Sequence, residues 1–532
     1  MSPTSPSRGD PLWQPLQVAV FRAVWTASLF SHIGTLMHQV GAAWLMTSLT
    51  ESPVLVGLLQ TAGALPMFLV GLPAGVLADL VPRRTMLLIT QGWMLLVSAV
   101  IALVTGFGWM QPWLLLVLTF SLGLGSALSL PSWQATVPDL VPREMLGAAI
   151  SLNSIGFNTA RSFGPALGGL IVAAAGPEAV FVLNTVSFVG IIVVFSWWRP
   201  PKRKRKTTED VFGALRAGIR YVLNSPPLHA PLVRVAGFML CASVVMALLP
   251  LLAREVWQME SLGYGSLLAA FGVGSIVSAS LVPRLRERLP VDVLTGIATF
   301  IGAVVLLVLG WTQSPWVAGI SMFGWGLCWT GTLVNCNVAM QMGVAGWVRG
   351  RAMAVYLLTF MGCMALGSFL WGTVAAETSP QAAMLLAGCG LILGLLLIVR
   401  WRLGSGEQLD LRPSPVFVEN EHHVVAPADA EEGPVLVTIE YRVDSNDENA
   451  FRELMTGMRK LRKRDGATVW RLYRDTIDPM KFIEIYRVDT WAEHMRQRER
   501  MTVSDTELYH AVRELHAGDQ PPHVSHFINV LS

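Results

Sequence analysis

Charge is scarce in this chain. Asp, Glu, Lys and Arg together supply 14% of its 532 residues, against roughly 25% in soluble domains. With 53% hydrophobic residues and a mean hydropathy of +0.51, a purely soluble protein is excluded. Cysteine is scarce too. Cys241, Cys328, Cys336, Cys363 and Cys389 lie in apolar stretches without paired spacing, which speaks against a disulfide framework or a zinc site and leaves small packing residues. The absence of any Gly-x-x-x-x-Gly-Lys-Ser/Thr segment disfavours ATP-driven pumping. A net charge of +3 gives nucleic-acid binding no support.

Long uncharged runs are abundant instead. Windows such as 54–78 and 86–104 carry no charge and exceed the ~18 apolar residues that mark a membrane-crossing helix. Reading runs and breaks gives twelve such helices, near 18–47, 54–79, 85–106, 112–137, 146–173, 178–198, 231–253, 262–282, 291–311, 315–342, 352–376 and 380–400. Helices satisfy their own backbone in lipid whereas open sheets do not, so the expected class is an all-α membrane protein of two six-helix bundles. Arg83, Arg84, Arg143, Arg284, Arg286, Arg288, Arg349, Arg351, Arg400 and Arg402 fall in alternate connections, while the opposite set carries Glu51, Glu178, Arg254, Glu255, Glu260 and Glu377. The basic set marks the cytoplasmic side. The expectation is a multi-pass inner-membrane protein with both termini inside.

The expected organisation is an N-terminal tail (1–17), a first bundle (18–198), a basic connection with an amphipathic helix (199–230), a second bundle (231–402), a linker (403–433) and a C-terminal domain (434–532). Within the connection, Lys202-Arg203-Lys204-Arg205-Lys206 sits just beyond a span, where it suits anionic lipid headgroups better than nucleic acid. Val211, Leu215, Ile219, Val222 and Leu223 form one face of the following segment, with Arg216 and Arg220 on another. This helix is expected along the inner membrane surface. A weak repeat relates the halves: a shift of 201 superposes Gly71 on Gly272, Pro82 on Pro283 and Arg83 on Arg284, and a shift of 203 superposes Gly164 on Gly367 and Gly169 on Gly372.

Three groups of residues within the spans suggest function. Trp25, Ser28, His32, Thr35 and Gln39 follow three- and four-residue steps and form a polar stripe suited to a central cavity, with His38 on the neighbouring stripe. A histidine there changes charge near neutral pH and so is a candidate for coupling to a proton gradient; the alternative is a neutral, hydrogen-bonded ring. Trp325 and Trp329, with Asn335 beside them, suit either an aromatic substrate wall or ordinary packing. Finally, Arg161 lies mid-span beside Gly164, Pro165, Gly168 and Gly169. A charge there needs a partner or a water-filled cavity, and the Gly/Pro run suits a hinge or a close helix contact.

The connection from Gly75 through Asp79 to Pro82-Arg83-Arg84 resembles the loop signature of the major facilitator superfamily. In physical terms Asp79 accepts charge from Arg83, Arg84 or a helix end and makes a breakable latch. Gly164-Pro165-Ala166-Leu167-Gly168-Gly169 resembles a segment of that superfamily's antiporter branches, with Ala160 where an upstream glycine is expected. Phe21-Arg22, Ala43 to Thr47, Thr50 to Pro53, Leu65-Pro66 and Gly218 to Val222 are similar to the enterobactin exporter-like, transmembrane secretion effector branch. This resemblance implies export of a small amphipathic molecule such as a siderophore, drug or metabolite, with no cofactor and no catalysis.

The residues after 433 alternate as strands at 435–443, 468–473, 482–488 and 524–530, with helical stretches at 448–464 and 491–515. That is a β-α-β-β-α-β order. Arg464 to Ala467, Trp470 and Trp491 to His494 resemble the antibiotic biosynthesis monooxygenase-like ferredoxin fold. Fold alone transfers no activity. The expected role is regulation or self-association, with Val437, Ile439, Tyr441, Trp470, Leu472, Ile483 and Ile485 on one sheet face. A membrane-tethered enzyme or ligand sensor centred on this domain is the alternative.

Overall fold

The computed structural model describes residues 12–199, 211–406, 409–412, 414 and 432–529. The basic run Lys202 to Lys206 lies outside the described residues. Helices α1 (Ala19–Leu49), α2 (Pro53–Leu80), α3 (Arg83–Gly106), α4 (Pro112–Leu140) and α5 (Leu146–Trp197) form the first half. Proline opens α2 and α4, where its missing N–H costs nothing. At 52 residues α5 is two spans in one. It breaks at Gly176, whose φ of +82° is open to glycine and strained for other residues. Then come α6 (Val211–Leu223), α7 (Pro226–Leu251), α8 (Ser261–Arg286), α9 (Val291–Trp311), α10 (Pro315–Met342), α11 (Arg349–Glu377), α12 (Pro380–Gly394) and α13 (Leu396–Arg400).

Ten helices among the described residues are long and apolar enough to cross a membrane. The double span α5 and the 31-residue α1, whose polar stripe lowers its hydropathy, complete the twelve read from the sequence. Both halves belong to one compact unit made of 1–206, 234–335 and 357–400. Its first half packs around Met46, Ile101, Leu115 and Phe181, with a second cluster around Phe21, Leu87, Leu152 and Phe195.

The second unit comprises 207–233, 336–356 and 401–532. Its partition departs from the boundaries read in the sequence. Helix α6, the end of α10, the start of α11 and the turn between them group with the C-terminal domain. On α6 itself Ala217, Tyr221 and Val222 are buried, while Ile219 and Leu223 remain exposed.

The C-terminal domain runs β1 (Val435–Arg442), α14 (Glu448–Asp465), β2 (Val469–Arg474), β3 (Lys481–Val488), α15 (Trp491–Glu499), α16 (Val503–Glu514) and β4 (His523–Ile528). The sheet is antiparallel in the order β2-β3-β1-β4, matching the order read from the sequence except that its second helical stretch is split. Thr502 and Asp505 form a reciprocal capping box that starts α16 afresh.

Register corrects the face assignment. Tyr441 stands opposite Phe482, Ile439 opposite Glu484 and Val437 opposite Tyr486, so Ile483 and Ile485 point to the other face. The core face instead carries the buried carboxylate of Glu484. It accepts hydrogen bonds from Trp470 Nε1 at 2.9 Å, Tyr441 Oη at 3.0 Å and Arg462 Nε at 3.2 Å. Burial without those partners would be costly. Part of the linker is also fixed to this domain: Val503 N donates to Arg412 O at 3.0 Å and Ser414 N to Met501 O at 3.0 Å.

Candidate functional site

The polar stripe of α1 faces a cavity of ≈ 480 Å³ between α1, α4 and α5. This falls within the 300–1,000 Å³ typical of small-molecule sites. Trp25, Ser28, Leu29 and His32 supply the α1 wall; Trp133 and Gln134 come from α4, and Asn153, Ser154, Phe157 and Asn158 from α5. The Trp25 indole is fixed by donating to Leu152 O at 2.9 Å. His32 meets the Phe157 ring edge-on at 5.5 Å. The wall therefore mixes aromatic faces with amides and one imidazole, a lining suited to an amphipathic molecule.

Not all of the stripe reaches this space. Thr35 and Gln39 are not part of its lining. His38, six residues on from His32, is rotated away by the helical repeat. It is 2% exposed and tilts against Phe181 at 4.7 Å, with neither ring nitrogen hydrogen-bonded. Packing, not the cavity, is its setting. The α4 and α5 lining was missed in the sequence, although on α5 a signal is present: Ser154 and Asn158 follow a four-residue helical step like those used to find the α1 stripe.

In the second half, Trp325 and Trp329 are buried in an aromatic cluster. Phe238 stacks on Trp325 at 6.1 Å, and Phe271 and Phe360 meet Trp329 edge-on at 6.0 and 6.5 Å. The two indole N–H groups, Thr332 Oγ1 and both amide atoms of Asn335 are buried without hydrogen bonds. Leaving such groups unsatisfied costs about 1–3 kcal/mol each, so this wall combines packing with a reserve of polar groups.

The glycines of α5 divide between two neighbours. A Cβ at Gly164 would lie 2.9 Å from Leu36 Cβ, and one at Gly168 3.0 Å from Met37 Cα, both on α1. One at Gly169 would lie 2.6 Å from Gly265 Cα on α8, in the other half. A second seam joins α2 to α11, where a Cβ at Gly57 would meet Ser368 O at 2.6 Å. Arg161 lies on the α8 side of α5, its guanidinium 5.5 Å from the Phe271 ring centroid. Pro165 is within the same helical run.

At the opposite end of α2, Gly75 faces open space, and the Asp79 side chain lies outside the described residues. Arg83 donates to Asp139 Oδ2 at 2.8 Å and to Ala135 O at 2.6 Å, both on α4. Arg84 donates to Phe195 O at 2.9 Å and Ser196 O at 2.6 Å. The two arginines thus tie the start of α3 to α4 and to the end of α5. Asp139 went unrecognised in the sequence, yet Asp-Leu-Val-Pro-Arg occurs twice, at 79–83 and 139–143. The repeat was the available signal.

The model of a family described as transmembrane secretion effector matches residues 11–532, including the C-terminal domain. Among curated relatives, the enterobactin exporter EntS of Salmonella typhimurium is 28% identical over 408 residues, covering 74% of this chain and 94% of that protein. The EntS protein of Escherichia coli O1:K1 is 28% identical over 397 residues, covering 71% and 91%. Solved structures with the same helical fold include a bacterial homologue of the lysosomal transporter Spinster, inward-facing and unoccupied, at TM-score 0.59 and 14% identity, covering 77% of this chain and 100% of that one. A bacterial homologue of ferroportin, also inward-facing, aligns at TM-score 0.57 and 17% identity, covering 72% and 98%.

Proposed function

Because the chain belongs to the transmembrane secretion effector family, we propose that it exports a small amphipathic molecule of the siderophore kind by alternating access, driven by a proton or other ion gradient. It is a multi-pass transporter of the major facilitator type. The α1–α4–α5 cavity carries the reading: aromatic faces to hold a ring system, amides to bind its polar rim, and an imidazole able to exchange a proton. In this reading the seams at Gly169/Gly265 and Gly57/Ser368 close one end of the path while the cavity is loaded from the other.

The same reading places both termini in the cytoplasm, the protein in the inner membrane and the run at Lys202 to Lys206 on anionic lipid. Asp79 with the Arg83 and Arg84 pair serves as the inner latch, Trp325, Trp329 and Asn335 as the opposing substrate wall. No reaction is assigned to the C-terminal domain. The test is a comparison of metabolites inside and outside cells with and without the protein, followed by uptake of the accumulating compound into everted vesicles. A compound retained by deficient cells and moved by vesicles under a gradient supports export; identical metabolite profiles on both sides refute it.

A further inference from the structure

Among the described residues, the C-terminal domain closes its core with its own side chains, from Val435 and Phe451 to Trp470 and Val512, and α6 and the α10–α11 turn contribute none of them. Its described polar and cation–π contacts with those two segments run through three charged side chains, Glu493, Arg500 and Arg464. Glu493, on α15, accepts from Arg500 at 2.8 Å and from Arg220 of α6 at 2.9 Å through the same oxygen. The Arg500 guanidinium lies 4.3 Å from the centroid of Trp347, in the α10–α11 turn. Arg464 lies 5.3 Å from the Tyr221 ring centroid, and Tyr221 closes the circuit by accepting from Ala345 N at 3.3 Å. At the centre Gly466 has φ +138°, and a side chain there would meet Glu493 and Arg220.

Such an interface is built to separate. Charges that lose a partner regain water, so ionic contacts return much of their desolvation cost on release, which an apolar core does not. Since the domain keeps its core, undocking does not require unfolding. The docked turn is also mechanically placed: residues 336–356 group with the C-terminal domain while the remainder of α10 and α11 belongs to the helical unit. Alternating access moves the ends of the spans in each bundle. A domain attached to the α10–α11 turn and to α6 must therefore travel with that movement or oppose it.

We propose that the C-terminal domain is a releasable clamp: docked through Glu493, Arg500 and Arg464, it ties the α10–α11 turn to α6 and slows the transport cycle. This rests on the transport reading above. The clamp's ligand is a segment of its own chain, recognised by an indole face, a phenol ring and one arginine.

The test uses the full chain in proteoliposomes. Glu493→Gln and Trp347→Ala are expected to raise hydrogen exchange at 343–348 and the initial export rate together, the latter on the order of fivefold, the lower range for coupled sites. Arg220→Cys with Glu493→Cys, joined by a cleavable bismaleimide, is expected to slow export by a similar factor until the linker is cut, with the parent protein treated identically as control. A joined protein that keeps its rate overturns the clamp, as does faster exchange at 343–348 without faster export. Failure of the transport reading looks different: the parent itself moves no substrate, and the braking role falls with it while exchange at 343–348 still answers to Glu493→Gln.

Discussion

Arg83 and Asp139 meet at 2.8 Å, with the Asp139 side chain 6% exposed and the Arg83 side chain 26% exposed. The pair ties the first turn of α3 to the last turn of α4, and Arg83 adds a bond to Ala135 O. Breaking a fully buried pair by removing one partner costs about 3–5 kcal/mol; the partial exposure of Arg83 lowers that here. Asp139→Asn is expected to insert normally, lose thermal stability and slow export on the order of tenfold. Adding Arg83→Ala should cost less than the sum of the two single changes, because the pair is lost only once. Full additivity in melting and export measurements would refute the pairing. Asp79→Asn, measured beside it, should also cut export, since the latch loses its charge and keeps its shape.

The two histidines of α1 are expected to separate cleanly. His32→Ala should flatten the pH dependence of export between about pH 5 and 8, where an imidazole titrates. His38→Leu should leave that profile alone and raise thermal stability, because an apolar side chain replaces a buried ring whose nitrogens lack partners. Identical pH profiles in reconstituted vesicles for His32→Ala and the parent would remove His32 from proton coupling.

At the α5–α8 seam, Gly169→Val should hold the two helices apart, since even a Cβ would sit 2.6 Å from Gly265 Cα. Export should fall, and a cysteine placed at Ser261 should label faster than in the parent. Unchanged labelling with normal export would show that the seam is not a gate.

The linker contact has a defined acid limit. The side-chain hydrogen bonds of Arg412 hold the Asp410 carboxyl down at about 2. A lowered folded value means that the stabilisation is complete above the ordinary carboxylate value and is lost as pH falls through the folded one. Protection of the Ser414 and Val503 amides should therefore persist at pH 4 and fail toward pH 2. Arg412→Ala removes most of the shift and should therefore flatten this acid dependence while weakening the contact at pH 4. Hydrogen exchange across that series decides it.

The outer face of the small sheet keeps apolar groups: Tyr473 is 52% exposed and Phe527 53% exposed, beside half-buried Ile483 and Ile485. If a second copy covers this face, Phe527→Glu should convert the full-length protein in detergent from dimer to monomer without altering its melting. A parent that is already monomeric at micromolar concentration rules out self-association through this face.

What the sequence by itself determined follows from local physics. Runs of about 20 uncharged residues had to be membrane helices, because only helices and closed barrels satisfy their own backbone in lipid and barrel strands are shorter and alternate in polarity, and Gly176 and the prolines had to punctuate them. The alternating strands likewise specified the small sheet. Tertiary structure alone decided what those elements face. His32 and His38 look alike along the chain, but only packing places one in a cavity and the other against Phe181. Asp139 becomes the partner of Arg83 only when the ends of α3 and α4 meet. On α6 the apolar Ile219 and Leu223 stay exposed, while Arg220 and Tyr221 meet Glu493 and Arg464 of the C-terminal domain. Pattern reports that a face will be buried; the identity of its partner depends on contacts hundreds of residues apart, which no local periodicity encodes.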